Sequence, residues 1–280
     1  MPPSRTRAKT RTQARAAADV ADPGGPAGKD GRAAEGMAGL AKGLAVIEAF
    51  GPNQTQVTVS DAARATGMTP ATARRCLRTL QELGYLSHDG KFFRPTPRMM
   101  RLGAAYLETA SLPQLAQPYV VSARDELDES VSLAVLEDDL AVFVARAEVQ
   151  RIVSTGVRLG AHLPAHASAS GRILLAGLPN DELDARLESC RPRRTTPKTL
   201  VKVAGIRERV VRARVDGFAF TDEELEMGMR TMAVPVRDSM GRTQAAMTVS
   251  AFTARISFDR MCAEFVPVLQ RHAEHLGRML

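Results

Sequence analysis

"TPATARRCLRTLQELGYL", running from Thr69 to Leu86, holds a helix start, a helix stop and two opposed faces. Thr69 stands where a side-chain cap belongs, and Pro70 at the first helical position lacks only an N–H that has no partner there. Gly84 comes just past the last apolar residue, Leu83, as glycine does beyond a helix C-terminus. At 100° per residue from Pro70, Arg74, Arg78, Ala71 and Arg75 fall between about 40° and 140°. Ala73, Cys76, Leu77, Leu80 and Leu83 fall between about 220° and 340°. The leucines, with Cys76, are therefore expected to hold the helix on its domain while the arginines look outward. The small residues Ala71 and Thr72 would let the helix backbone come close to DNA. Such a helix fits the major groove, where arginine binds guanine bidentately; arginine binds phosphate equally well, which positions without reading sequence. A solvated charged surface is the plain alternative. Pairing with Glu82 would occupy only one of Arg74 and Arg78.

The flanking sequence weighs against the plain alternative. Leu40, Leu44, Ile47 and Phe50 form an apolar stripe at helical spacing, stopped by Gly51-Pro52. Thr58-x-x-Asp61 reads as a capping box that opens a short helix ending at Gly67. After Gly84, Asp89-Gly90 between two β-prone runs predicts a hairpin with a two-residue turn. Helix, helix, tight turn, helix and hairpin outline a winged helix-turn-helix. In the wing, Lys91 and Arg94 are candidates for phosphate or minor-groove contact. Phe92 or Phe93 should pack on the domain, with stacking on single-stranded bases as the alternative.

Charge is unevenly placed. The 280 residues carry a formal net charge of +7, and the length suggests about two domains. Residues 1–101 hold 16 Lys/Arg against 8 Asp/Glu, net +8, and the remainder 22 against 23, net −1. Nucleic acid or an anionic surface is thus the expected partner of the first third. Cys76, Cys190 and Cys262 are too dispersed for a disulfide framework or a zinc knuckle, which points to a reducing cytoplasm. No apolar run approaches a membrane span, and the N-terminus lacks the apolar core of a secretory signal. Residues 1–36 are nearly devoid of large apolar side chains and are expected to be disordered. Their arm of Arg5, Arg7, Lys9, Arg11 and Arg15 reads as a solubilising tail. A non-specific phosphate contact or an organellar transit peptide is the alternative.

"GLAVIEAF", "SDAARATGMTPATARRCLRTLQELGYL", "RPTPRMMRLGAAYL", "HLPAHASASGRILLA", "EELEMGMRTMAVPV" and "TVSAF" follow one another along the chain. Together they resemble an IclR-family transcriptional regulator over about residues 39–280. "GLAVIEAF" and "FFRPTPRMMRLGAAYL" are most similar to the subgroup regulating aromatic-acid catabolism through the β-ketoadipate pathway, the protocatechuate and p-hydroxybenzoate regulators. Beyond the basic tail at 1–36, the resemblance implies a winged helix-turn-helix at 37–95, a linker helix at 96–113 and a GAF-like effector domain at 114–280. It also implies a homodimer or a dimer of dimers. Met99, Leu102, Ala105 and Tyr106 make one apolar side of the linker, fit for dimerisation or for packing on its own domain.

The residues of the C-terminal part agree with an α+β class and an antiparallel sheet. "VSLAVLEDDLAVFVARAE" reads as two strands around a turn, and "IVSTGV", "GFAFT", "TMAVPV" and "QAAMTVSAF" as further strands. "SASGRILLAGL", "DELDARLESC", "VAGIRERVVRARV" and the run from Phe258 to Leu280 read as helices. Ser168 to Gly171 open a helix whose N-terminal N–H groups suit a carboxylate; Ser168 is also a simple N-cap.

By resemblance, the effector pocket is lined by Ile152, Thr155, Ala169, Ser170, Thr221, Thr231, Thr248 and Ser250. Glyoxylate- or pyruvate-type relatives have an acid where this chain has Thr221 and a cysteine where it has Thr231. A short oxo-acid ligand is therefore in doubt. Thr248 and Ser250, two apart on a strand, share a face. Arg158 is placed to counter a carboxylate at the pocket mouth, or simply to face solvent.

Other chemistry finds little footing. His162 and His166 have a helical ligand spacing, but Pro164 lies between them and no further ligand completes a metal site. Asp222, Glu223, Glu224 and Glu226 read as a solvated strand end or loop. "GLAKG" lacks the Walker spacing, and no catalytic triad has motif context. The expectation is an effector-responsive regulator that binds double-stranded operator DNA and a small aromatic or dicarboxylic acid. It needs no metal or cofactor and is not an enzyme. The competing reading is a small-molecule sensor or enzyme whose basic accessory domain does not read DNA.

Overall fold

In the computed structural model, which describes residues 37–51, 54–150 and 157–280, the first helix, α1, spans Ala38–Glu48. Only the later part of its predicted apolar stripe is used. Val46 is buried, and Ile47 and Phe50 pack beside it, but Leu40 is 62% exposed and Leu44 46%. The first two turns project beyond the packed core, so the stripe is longer than the surface that covers it.

Helix α2, Val59–Thr66, begins at the predicted capping box. Thr58 N–H donates to Asp61 Oδ2 (3.0 Å), and Asp61 N–H donates back to Thr58 Oγ1 (3.2 Å). Thr58→Ala is expected to cost about 1 kcal/mol. A thermal melt of the full chain with an unchanged midpoint would show that this cap contributes nothing. Gly67, at φ 66°, ends α2 in the left-handed conformation that glycine adopts without strain.

Helix α3, Pro70–Glu82, is capped by Thr69, which accepts from Thr72 N–H. Its end is a Schellman motif: Tyr85 N–H donates to Leu80 O and Gly84 N–H to Gln81 O, both at 2.9 Å, with Gly84 at φ 79°. Ala73, Leu77 and Leu80 are buried and Cys76 half-buried. Leu83 departs from expectation and is 52% exposed. It lies at the margin of the apolar arc, about 90° from the centre that those three residues define.

The hairpin pairs β1, Leu86–His88, with β2, Phe93–Pro95. Its turn is longer than the two residues predicted. His88 faces Phe93, leaving Asp89 to Phe92 as the loop. The Asp89 carboxylate folds back to accept the N–H groups of Lys91 (3.0 Å) and Phe92 (2.7 Å). This register turns Phe93, not Phe92, into the core. Phe93 also exchanges backbone hydrogen bonds with Val57, which ties the wing to the start of the α2 region.

A 3-10 turn at Pro97–Met99 leads into α4, Met100–Thr109, within which the contacts of the chain divide between Ala105 and Tyr106. The second unit continues with α5, Ser111–Leu127, a helix absent from the sequence reading. Pro113 and Pro118 obscure it. The first sits in the opening turn, and the second removes one internal hydrogen bond that packing of Ala116, Val120 and Ala123 outweighs.

Strands β3 (Val131–Glu137) and β4 (Leu140–Ala147) form the predicted pair, turned by Asp138 at φ 48°. Then come β5 (His162–Pro164), α6 (Ala169–Ala176), α7 (Asn180–Ser189), α8 (Val203–Asp216), β6 (Ala219–Asp222), β7 (Met229–Arg237) and β8 (Thr243–Phe252). The predicted C-terminal helix is interrupted. α9 (Phe258–Arg260) passes through a π turn at Met261–Phe265 into α10 (Val266–Gly277), where Pro267 lacks the N–H needed for regular winding. Of the predicted strand "IVSTGV", residues 152–156 lie outside the described residues, and Val157 is in no strand.

Among the described residues the second unit has a six-stranded antiparallel sheet of order β5-β4-β3-β8-β7-β6. The class is α+β, as predicted. One face packs on α5 and α10 through Val131, Leu133, Met232, Val234, Met247 and Val249. The other packs on α6 and α8 through small residues such as Ala134, Ala233 and Ala246, with Phe143. A bulge in β4 sends the consecutive residues Val144 and Ala145 to the α5/α10 side.

Candidate functional site

In the first unit the helix-turn-helix leaves one basic face open. Arg74, Arg75 and Arg78 are exposed on α3, as are Thr69 and Ala71; Thr72 is half-buried. The hydroxyls of Thr69 and Thr72 are 3.0 Å apart. Arg78 reaches Gln81 Oε1 at 3.5 Å, whereas Arg74 and Arg75 make no ion pair or side-chain hydrogen bond among the described residues. Neither Arg74 nor Arg78 pairs with Glu82. The arginines thus stand opposite the buried Ala73, Leu77 and Leu80.

The wing is less free. Lys91 is exposed, its Nζ 4.9 Å from the centroid of the Phe92 ring. Arg94 is braced internally, donating to Asp89 Oδ2 (2.6 Å) and Gln56 Oε1 (2.9 Å). The N–H groups of Phe92 and Lys91, and then Arg94, hold the Asp89 carboxyl well below the usual carboxylate range.

In the second unit, strand alternation gathers the predicted hydroxyls on one side. Met232, Met247, Val249 and Ala251 point to the α5/α10 core, so Thr231, Thr248 and Ser250 point the other way, toward α6. Thr221 pairs with Thr231, and Thr231 with Ser250, across β6, β7 and β8. The Thr231 and Ser250 hydroxyls are 3.1 Å apart, and Thr248 Oγ1 donates to Met232 O at 2.8 Å. Ala169 and Ser170 lie buried at the start of α6 on this same side. Ser168 caps that helix, accepting from Gly171 N–H at 3.1 Å. A side chain at Gly171 would run into the Ala165 backbone, 2.2 Å from its Cβ, so glycine is what lets α6 start so close to the preceding loop. Ile152 and Thr155 lie outside the described residues, and Arg158 is exposed in a turn.

Glu226 of the acidic run is exposed, as the sequence suggests, but the rest of the run is not a solvated loop. Glu224 is buried and takes both Nη atoms of Arg172 at 2.7 Å; Arg172 is itself only 1% exposed. Arg172 also donates to His166 O and Phe220 O, and Glu224 accepts from Leu200 N–H. Asp222 pairs with Arg230, and Glu223 with Lys198 and with Gly228 N–H. Arg172, far off in sequence, turns a carboxylate that looks solvated into a bolt between α6 and the β6–β7 connection. His166, where desolvation and then Arg172 disfavour protonation, is held below its ordinary pKa.

Two polar members of the α6 side escape the sequence reading. Ser132 on β3 stands opposite Thr248 on one side and Arg146 of β4 on the other. Arg146 Nη1 donates to Ser132 Oγ at 2.8 Å. The available signal is a lone serine and a lone arginine, each interrupting an apolar strand at a single position.

Residues 104–278 match the bacterial transcriptional regulator IclR C-terminal family, and residues 39–90 match the IclR helix-turn-helix domain. The chain belongs to the IclR family. It is 35% identical over 245 residues to the Pca regulon regulatory protein of Pseudomonas putida, covering 87% of this chain and 84% of that one. It is 33% identical over 249 residues to the p-hydroxybenzoate hydroxylase transcriptional activator of Acinetobacter baylyi, covering 87% and 92%. An IclR homolog from Microbacterium hydrocarbonoxydans, solved in complex with 4-hydroxybenzoate, superposes with a TM-score of 0.69 at 26% identity, covering 85% and 97%. This IclR-family chain is an effector-responsive, DNA-binding transcriptional regulator and not an enzyme, and it falls with the regulators of aromatic catabolism.

Proposed function

We propose that this regulator senses a small aromatic or dicarboxylic acid in its second unit and changes its operator affinity in response. The effector would lie between the start of α6 and the hydroxyl-bearing side of the sheet, touching Ala169, Ser170, Thr221, Thr231, Thr248 and Ser250, with Ile152 and Thr155 completing the wall. The observation that carries this reading is the convergence of four hydroxyl side chains and a helix N-terminus on one side of the sheet. Hydroxyls and N–H groups are what a carboxylate or phenol needs. The relative solved with 4-hydroxybenzoate supports the aromatic choice.

Operator contact is assigned to Thr69, Ala71, Thr72, Arg74, Arg75 and Arg78 on α3, with Lys91 and Arg94 from the wing. The proposed division is a basic tail at 1–36, a DNA-binding domain at 37–95, a linker at 96–113 and an effector domain at 114–280. A homodimer, or a dimer of dimers, would set two α3 helices in successive major grooves, about 34 Å apart. The uncovered Leu40, Leu44, Leu102 and Tyr106 support such an assembly. Among the described residues no helix is long and apolar enough to cross a membrane, in keeping with work in the cytoplasm.

The test is operator binding by the full chain at fixed salt, with 4-hydroxybenzoate, protocatechuate, β-ketoadipate or glyoxylate added. An effector shifts this equilibrium only through unequal affinity for the two states. A change of fivefold or more in operator affinity, about 1 kcal/mol of coupling, is expected with one of the first three acids. A response to glyoxylate alone would overturn the reading.

A further inference from the structure

We propose that Phe92 is an operator contact, its ring seated in the minor groove beside the two wing cations, Lys91 and Arg94. This rests on the assignment of the wing to operator DNA above and adds an apolar contact to it. Phe93 belongs to the apolar core of the first unit, and Phe92, next to it in the chain, stands outside that core. Asp89 N–H donates to Phe92 O, so hairpin pairing runs on to Phe92. Strand alternation then turns its ring, like the Arg94 side chain, to the outer face of the wing. There the Lys91 ammonium lies 4.9 Å and the Arg94 guanidinium 5.9 Å from the ring centroid, within reach of a cation–aromatic attraction. The ring is only half-buried, so apolar area stays in water until a partner covers it.

The charge around the ring selects that partner. The minor groove of duplex DNA has phosphates along its rims and deoxyribose faces as its walls. An apolar centre with cations at its margin matches that order, the cations meeting phosphate and the ring meeting sugar and base edges. The same unit is a helix-turn-helix with the open arginines of α3, which favours duplex DNA over a second protein chain. The tip is also set before DNA arrives. Asp89 Oδ1 accepts the N–H groups of Lys91 and Phe92, and Arg94 Nη1 closes on Asp89 Oδ2 at 2.6 Å. Gly90 supplies the φ of 100° that the turn requires. Little loop entropy is then lost on binding. The guanine amino group projects from the groove floor, whereas A·T pairs leave it clear. The ring therefore favours A·T pairs beneath the wing.

The experiment is fluorescence anisotropy of the full chain, over a range of salt, on a duplex that it selects from a random-sequence pool. The flanks of each half-site carry A·T, G·C or inosine·cytosine pairs. Inosine lacks the guanine amino group and so shows the minor-groove face of A·T. Phe92→Ala should weaken binding to the A·T duplex about tenfold at an unchanged salt slope, and Phe92→Leu should lose less. Lys91→Ala should lower the slope by about one. G·C flanks should weaken the wild type several-fold, inosine flanks should restore it, and Phe92→Ala should respond to neither. Because the ring lies outside the core, the melting temperature of Phe92→Ala should stay within a degree or two. Wild-type affinity of Phe92→Ala, a loss carried by a lower salt slope, or inosine flanks that bind no better than guanine flanks would each overturn the contact. A slope still lowered by Lys91→Ala would then keep the wing on the DNA. Lys91→Ala and Phe92→Ala both indistinguishable from wild type would remove the wing, and Phe92 with it, from the interface. Altered sedimentation of Phe92→Ala at unaltered DNA affinity would give the ring to a contact between chains instead.

Discussion

Replacing Arg74, Arg75 and Arg78 together by alanine is expected to weaken operator binding by about 3 kcal/mol or more, over a hundredfold. The argument is geometric. These three side chains occupy the exposed side of α3, opposite Ala73, Leu77 and Leu80, and Arg74 and Arg75 are engaged with nothing else among the described residues. Because they are exposed, their removal leaves the core intact, and the melting temperature should stay within a degree or two. Single substitutions separate the roles. An arginine bidentate to a guanine should cost about 1–3 kcal/mol and relax specificity at one position. One that meets phosphate should lower the salt slope by about one and weaken all sequences alike. Fluorescence anisotropy with operator and scrambled duplexes over a range of salt reads both quantities. Operator affinity of the triple variant equal to wild type would remove α3 from the interface.

Glu224→Ala is expected to destabilise the second unit by about 3–5 kcal/mol. It leaves the Arg172 guanidinium buried without its bidentate partner, and it unties the β6–β7 connection from α6 and from Leu200. For a unit of this size that loss lowers the melting temperature by roughly 10 °C. The companion variant Arg172→Met with Glu224→Leu discards both charges at once. It should recover most of the stability, because what costs is one stranded charge and not the absence of the pair. A single variant that melts with the wild type would mean that Arg172 finds another partner.

The sequence is most readable where local chemistry decides the outcome. The capping box at Thr58 and Asp61, the Pro70 start and the Gly84 stop each concern a few neighbouring residues, and they place α2 and α3 correctly. The shared face of Thr248 and Ser250 follows from strand alternation. Failures begin where distant residues intervene. Nothing near Glu224 in the chain announces Arg172, 52 residues away. Leu40 and Leu44 fit an apolar stripe, but no local rule says where the covering surface ends. The wing loop is longer than Asp89-Gly90 implies because Phe93 must reach Val57 across the domain. Arg146 is hidden for a further reason: counting by twos along β4 from Phe143 places it on the wrong side.

That last miscount has a simple origin. Phe143 faces α6, Val144 and Ala145 both face α5 and α10, and Arg146 faces α6 again. The extra residue in β4 acts as a phase shifter. It leaves the strand's first half in register with its neighbour and inverts the in-and-out assignment of everything after it. Were the same residues to run as a regular strand, Ala145 would face Ser132 and the arginine would be driven into the apolar α5/α10 layer. The chemistry of this side of the sheet is therefore written in strand geometry as well as in residue identity. Whether one residue is bulged or paired is enough to decide which layer of the domain receives the cation.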